Sequence, residues 1–288
     1  MKERVEKKGL IFLCTPFALQ SAAELRKLEP KCIKIASPEL NFTALLREIA
    51  SYGLPILLST GVSRLGDIEE ALEIISAHSP IRPCSTPVPH SQVCLLHCVT
   101  AYPAPEKDYN LRVLGNISAI FGVPVGLSDH SLDPFLVPVL GAAMGASVIE
   151  KHFCLNRSDT GLDDPIALPP DSFAQMVKAL RHAEKVSAEE TIQNMKLEHG
   201  EETVESVLGD GIKRLAPSEK ANYGRTNRSI HALRDIAEGE IIEKSMIAPL
   251  RTEKILRPGL PPSWEEKIIG RRSKAFIPAG EGIRWEDI

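Results

Sequence analysis

The feature that most constrains this chain is a repeated alternation of two patterns. Between residues 9 and 185, short β-branched apolar runs occur at 9–17, 32–37, 55–60, 93–99, 123–130 and 147–153. Stretches with helical apolar spacing separate them, among them 43–52 and 65–78. Strands alternating with helices predict a parallel sheet with helices packed on it, because parallel neighbours need a crossover connection. Two closures suit that order, an open doubly wound sheet or a (β/α)8 barrel. A dinucleotide-binding open sheet should carry a GxGxxG turn after its first strand, and this sequence has none. Each run ends instead in polar residues: Thr15, Lys34 with Ser37, Ser59, Thr100, Ser128 with His130, and Glu150 with His152. Polar groups gathered at C-terminal strand ends are what a barrel's active face requires. The sequence therefore predicts a TIM-type barrel of which six βα units can be counted.

Strand parity then sorts side chains between the barrel axis and the helices. In 32–37, Ile33 and Ile35 share one face and Lys34 and Ala36 the other, so the apolar face meets helices and Lys34 points inward. An ammonium buried alone is costly, and at a barrel mouth its natural partner is an anion such as phosphate. The bland alternative is a lysine snorkelling to the surface. The same parity groups Gly126, Ser128 and His130, and then Val148, Glu150 and His152. Neighbouring strands lie about 4.8 Å apart, so imidazoles ending two consecutive strands can share one divalent ion; a hydrogen-bonded histidine pair explains them equally. His78, His90, His97, His182, His199 and His231 read as surface or packing residues. Hydroxyls of Thr15, Ser59 and Ser128 can join Lys34 in cradling phosphate without a P-loop. The 156–168 loop carries Asp159, Asp163 and Asp164, which either cover the site with a carboxylate or form an acidic surface loop.

Composition narrows the classes. The formal net charge of −4 comes without a Lys/Arg stripe, against a nucleic-acid footprint. No run of about 18 apolar residues exists to cross a membrane, and the charged start MKERVEKKGL lacks a signal core. A cytoplasmic protein is expected. Cys14, Cys32, Cys94, Cys98 and Cys154 sit in or beside apolar runs without a CxxC pair, and read as small buried residues in a reducing compartment. The expected domains are an incomplete barrel at 1–186, a polar, Glu-rich linker at 187–221, and a small β-rich domain at 222–288. In the last, the strings IAEGE (236–240) and IPAGE (277–281) form a weak internal repeat with glycines at matching turns.

These residues sit in longer strings: CTPF (14–17), KIASPE (34–39), LSTG (58–61), LHCVTAYPAP (96–105), GLSDHS (126–131) and EKHF (150–153). NRSI (227–230), DIAEGE (235–240) and LRPG (256–259) follow in the C-terminal part. In this order they resemble the N-acetylneuraminate (sialic acid) synthase family, including the pseudaminic and legionaminic acid synthases, with its antifreeze-like (SAF) module. The resemblance implies a transferase that condenses phosphoenolpyruvate with N-acetylmannosamine or a related 2-acetamido sugar. It implies His130 and His152 as ligands of a divalent metal, Mn²⁺ or Mg²⁺. Lys34, Thr15, Ser59 and Ser128 match positions that hold phosphoenolpyruvate. Glu39, Tyr102 and Asp163 match positions near the sugar, and with Glu150 make up the expected catalytic set. Arg257 matches an arginine that the SAF module delivers into the partner subunit's site, which implies a domain-swapped homodimer.

The family's barrel begins with two further βα units, and the match here starts inside the helix before its third strand. Six units cannot close an eight-stranded barrel. The expectation is that the true start lies upstream, that a separate chain completes the barrel, or that the product is a catalytically impaired remnant. Two readings from other classes accompany the synthase. One is a non-catalytic sugar- or phosphate-binding protein that keeps the site's shell. The other is a sugar-acid lyase using Lys34 as a Schiff base.

Overall fold

A computed structural model of the chain describes residues 1–81, 92–252 and 255–288; His90 lies outside the described residues. Five strands, β1 (Ile33–Ile35), β2 (Ile56–Ser59), β3 (Val93–Cys98), β4 (Val125–Asp129) and β5 (Ile149–Lys151), form one sheet in the order of the chain. Every pairing is parallel, with Lys34 beside Leu57, Cys98 beside Ser128 and Ser128 beside Glu150. The helices run α1 (Lys2–Glu6), α2 (Leu19–Lys27), α3 (Thr43–Ala50), α4 (Leu65–His78), α5 (Val113–Phe121), α6 (Leu136–Ala143) and α7 (Pro170–Ala183). From α3 onward one helix follows each strand, the arrangement that the alternating pattern demands.

The core lies between sheet and helices. Ile33, Ile35, Ile56, Leu58, Leu95 and Leu127 from the strands are buried with Leu45, Leu46 and Ile49 of α3 and Ile68, Leu72 and Ile75 of α4. The α4 set falls at i, i+4 and i+7, one stripe of the helix. Each such side chain contributes about 1.5–3 kcal/mol by burial. Local signals set the ends: α5 stops at Gly122 in the left-handed conformation, and α7 starts on Pro170.

Two expectations are corrected here. The run 9–17 is not a strand. It lies along the free edge of β1, where the Lys34 N–H donates to the Cys14 carbonyl at 3.2 Å. Leu10, Ile11, Leu13 and Phe17 remain exposed, and so does Cys14, against the expectation of a buried thiol. An apolar run becomes a strand when a ladder and a packing face take it up, and among the described residues this run has no ladder and packs on the core mainly through Phe12. Residues 187–221, expected as linker and loose helix, contain α8 (Ala188–His199) and α9 (Glu201–Leu208), and these helices are packed rather than loose. Ser187 caps α8 by accepting from the Glu190 N–H at 3.1 Å. Met195, Val204, Val207 and Leu208 join the main core. Glutamates dominate the composition there, but Val204, Val207 and Leu208 fall at i, i+3 and i+4, a buried face.

The C-terminal part has its own core of Ile230, Ile236, Ile242, Ile247, Ile268, Ile277 and Ile283. Strands β6 (Arg228–Ala232) and β7 (Ile247–Arg251) pair antiparallel. The sequence repeat is a structural one: Ile236 and Ile277 exchange N–H···O bonds of 2.9 Å each way. Gly239 and Gly280 take φ of +80° and +87° at the matching turns.

Candidate active site

The C-terminal ends of the five strands surround a cavity of about 310 Å³. Lys34 comes from β1, Ser59 from β2, Cys98 from β3, Ser128 from β4 and Glu150 from β5, and His130 and His152 follow the last two strands. Thr15 enters from 9–17, Tyr102 from the loop after β3 and Asp163 from the loop after β5. Nine of the residues singled out from the sequence thus line one cavity: Thr15, Lys34, Ser59, Tyr102, Ser128, His130, Glu150, His152 and Asp163. Strand parity explains the central five, since Lys34, Ser128, His130, Glu150 and His152 all fall on the inward register.

Lys34 is 5 % exposed, and its Nζ lies 3.1 Å from Glu150 Oε2. Burial by itself pushes the Glu150 carboxyl up, but the Lys34 ammonium and the Ser128 hydroxyl outweigh it and hold Glu150 below the usual carboxylate range. Ser59 Oγ is buried with no hydrogen-bond partner among the described residues. A buried hydroxyl without a partner, facing a cavity with an ammonium on its wall, is a donor set aside for something that enters.

His130 is fixed on several sides. Its backbone N–H donates to Tyr109 Oη at 2.7 Å, its carbonyl accepts from the Ala104 N–H at 3.0 Å, and Nδ1 donates to the Val99 carbonyl at 2.8 Å. The Tyr102 ring stacks on the imidazole with centroids 4.2 Å apart. Burial opposes charge on both His130 and Cys98, whose Sγ lies 3.9 Å from Nδ1, yet each favours the charged form of the other. The imidazole is therefore pushed up to about 9 and the thiol held below its ordinary range. His152 lies 5.4 Å from His130 between ring centroids, with Nδ1 3.4 Å from Asp163 Oδ2. Burial, then the neighbouring His130 charge, lowers it.

With Nδ1 of His130 committed to a carbonyl, its Nε2 is the nitrogen on the Ser128 side, 3.5 Å from Oγ. That is the tautomer control expected of a ligating imidazole. Among the described residues no group of three or more His, Cys, Asp or Glu side chains comes together as a ready-made metal centre. The two imidazoles fit a divalent ion that takes its other ligands from water or substrate oxygens.

Two sequence-derived candidates lie elsewhere. Glu39 is fully buried and forms an ion pair with Arg228 Nε outside the cavity lining. Arg228 also donates to the Phe17 carbonyl at 2.7 Å and to the Pro249 carbonyl at 3.1 Å, and its guanidinium covers the Phe42 ring. Arg257 stays within the C-terminal part, bonded to Asp287 at 2.7 Å and 3.4 Å from Glu281. Arg228, inside the quoted NRSI string but not singled out, is an arginine that does join the C-terminal part to the strand-end region. Parity along β3 would have found Cys98, which shares the register of Ser128. The sequence reading also passed over a buried ion pair between Lys151 Nζ and Asp129 Oδ2 at 2.5 Å, which lies beside both histidines. The signal was adjacency, since Asp129 and Lys151 are register partners.

A parallel βα sheet with polar groups and two histidines at its mouth, followed by a separate β-rich module, defines the class as a half-barrel α/β protein with an appended module. The chain belongs to the NeuB family, whose model matches residues 1–191, and residues 227–288 match the SAF domain. It is 32% identical over 279 residues to the N,N'-diacetyllegionaminic acid synthase of Campylobacter jejuni, covering 97% of this chain and 73% of that protein. It is 26% identical over 288 residues to the human N-acetylneuraminate-9-phosphate synthase, covering 99% and 70%. The crystal structure of the spore coat polysaccharide biosynthesis protein SpsE of Bacillus subtilis superposes with a TM-score of 0.83 at 32% identity, covering 99% of this chain and 75% of that one.

Proposed function

We propose that this chain condenses phosphoenolpyruvate with a 2-acetamido sugar, N-acetylmannosamine or a relative, giving a nonulosonic acid and phosphate. The observation that carries the reading is the single cavity in which Thr15, Lys34, Ser59 and Ser128 face His130 and His152, in a family whose matched relatives include two sugar-acid synthases. Lys34 and the hydroxyls hold the phosphate and carboxylate of phosphoenolpyruvate, the Ser59 hydroxyl gaining the partner it lacks. C3 of phosphoenolpyruvate bonds to the aldehyde carbon of the open-chain sugar. Water adds its hydroxyl at C2, and a proton reaches the sugar's alkoxide. Phosphate then departs with cleavage of the C–O bond, leaving a 2-keto acid. A divalent ion held by His130 and His152 polarises the aldehyde when bound. Glu150 sits beside Lys34, where it accepts the water's proton, and Tyr102 and Asp163 flank the imidazoles on the sugar's side.

The same reading holds that two further βα units complete the sheet to a closed barrel. Its support is that β1 and β5 are the outermost strands of the sheet among the described residues, with Leu10 and Ile11 more than half exposed beside β1. The test is phosphate release from phosphoenolpyruvate with N-acetylmannosamine and Mn²⁺, alongside calorimetry with phosphoenolpyruvate alone. Release requiring both substrates is expected, and Lys34→Ala should abolish it. Binding without release would assign the shortfall to the open sheet, and absence of binding would overturn the assignment of the cavity.

A further inference from the structure

We infer that Glu219 is a positioning residue for the anion cradle, a carboxylate brought in from outside the sheet that ties the loop after β2 to the loop after β3. It sits in the segment that runs from α9 to β6, and its side chain is 1 % exposed. Oε1 accepts two backbone donors, the Val62 N–H at 2.8 Å and the Thr100 N–H at 2.7 Å. Oε2 accepts the Ala216 N–H of its own turn at 3.2 Å. Lys213, from the same segment, donates to the Thr60 carbonyl at 3.1 Å. A carboxylate is buried at a cost unless it is well hydrogen-bonded, and bonds from N–H to a charged oxygen are the strong ones. Glu219 directs its Oε1 at two loops and only its Oε2 at its own turn.

The loop after β3 lines the cavity through Thr100 and Tyr102, the loop after β2 follows directly from the lining residue Ser59, and neither has much slack. Val62 has φ of +44°, a conformation that β-branched residues rarely take. Such a turn persists only where its surroundings over-determine it, and the Glu219 oxygen holds the N–H of that very residue. The preceding Gly61 donates to Ser37 Oγ at 3.0 Å. A Cβ placed there would fall 2.1 Å from Thr100 Oγ1 and 2.9 Å from Ser37 Oγ. The two loops therefore touch on the cavity side at Gly61 and Thr100, and Glu219 bonds both from behind. Moving either loop shifts Ser59 relative to Thr100 and Tyr102, all of which line the cavity.

The inference rests on reading the cavity as a phosphoenolpyruvate site, and its test separates the two. In the whole chain, Glu219→Gln keeps an oxygen at full reach for Val62 and Thr100 while giving up the charge and the acceptor for the Ala216 N–H, and Glu219→Asp keeps the charge one methylene short. Positioning predicts that Glu219→Gln binds phosphoenolpyruvate within about threefold of the unaltered protein. Glu219→Asp and Glu219→Ala should bind about tenfold more weakly, the worth of one strong hydrogen bond. Amide exchange at Val62 and Thr100 should quicken in those two variants and stay slow in Glu219→Gln. A weak Glu219→Gln beside a normal Glu219→Asp overturns the inference in favour of charge. Unchanged exchange at both amides in a folded Glu219→Asp overturns it outright. Should the unaltered protein bind no phosphoenolpyruvate, the proposed function fails while the exchange comparison still decides the role of Glu219.

Discussion

The two rims of the cavity are built in opposite ways. On the β4–β5 rim, Asp129 and Lys151 have side chains 0 % and 1 % exposed, bonded at 2.5 Å, and Lys151 also donates to the Ser131 carbonyl at 2.6 Å. Tyr109, fully buried, accepts from the His130 N–H on the same rim. On the β1 rim, 9–17 is joined to β1 through the Cys14 carbonyl, with Leu10 at 64 % and Ile11 at 63 % exposure. The lesson is that groups facing one cavity differ in how firmly the chain itself places them. His130 stands on buried polar bonds and Glu150 and His152 flank the buried Lys151, whereas Thr15 stands on a strip whose apolar side chains are mostly exposed.

Breaking the firm rim should give the largest effect. Lys151→Met leaves Asp129 charged, buried and unpaired, and should lower stability by about 3–5 kcal/mol, read from guanidinium unfolding. Tyr109→Phe removes the acceptor of the His130 N–H and should lower it by about 1–3 kcal/mol; a loss under half a kcal/mol would show that this bond supports nothing.

Acid should loosen the same rim more gradually. His97 Nε2 donates to the Tyr109 carbonyl at 2.6 Å. Burial first, then the nearby Lys213 charge, lowers His97 from 6.5 to about 3. In the unfolded chain His97 takes up a proton near pH 6.5, but in the folded protein it stays neutral until about pH 3. The unfolded state therefore binds more protons within that window. The His97 contribution is complete above pH 6.5 and fades steadily as pH falls toward 3. Denaturation at pH 6 and pH 5 measures it, and His97→Phe should remove that part of the slope.

The loose rim should barely register. Ile11→Ser is expected to change stability by no more than about 0.5 kcal/mol. Cys14 should react with a thiol reagent in the folded protein while the buried Cys154 stays protected. A loss of 2 kcal/mol from Ile11→Ser, or a protected Cys14, would erase the contrast between the rims.

Much of the fold was legible because a half-buried parallel sheet and its helices impose periods on the chain. Helix 65–78 was placed from its apolar stripe, and strands 32–37, 55–60, 93–99, 123–130 and 147–153 contain the five observed ones. The run 9–17 satisfied the same local pattern without becoming a strand, because pairing is a property of neighbours and not of the run. The stretch holding α8 and α9 read as linker and loose helix, and the packing of its helices escaped notice for the opposite reason: the few apolar positions that bury them are outnumbered by glutamates facing water.

In the site, the sequence by itself determined which side chains point toward the axis. Alternation along a strand is local geometry, so Lys34, Ser128, His130, Glu150 and His152 could be grouped before any fold was known. What only the tertiary structure decided is which partner each group finds. Lys34 meets Glu150, Glu39 is taken by Arg228, and Glu219 is bonded to loops more than a hundred residues earlier in the chain. Such pairings depend on where distant segments come to rest, and the energy of a buried charge depends on all its neighbours at once. No local period along the chain records that.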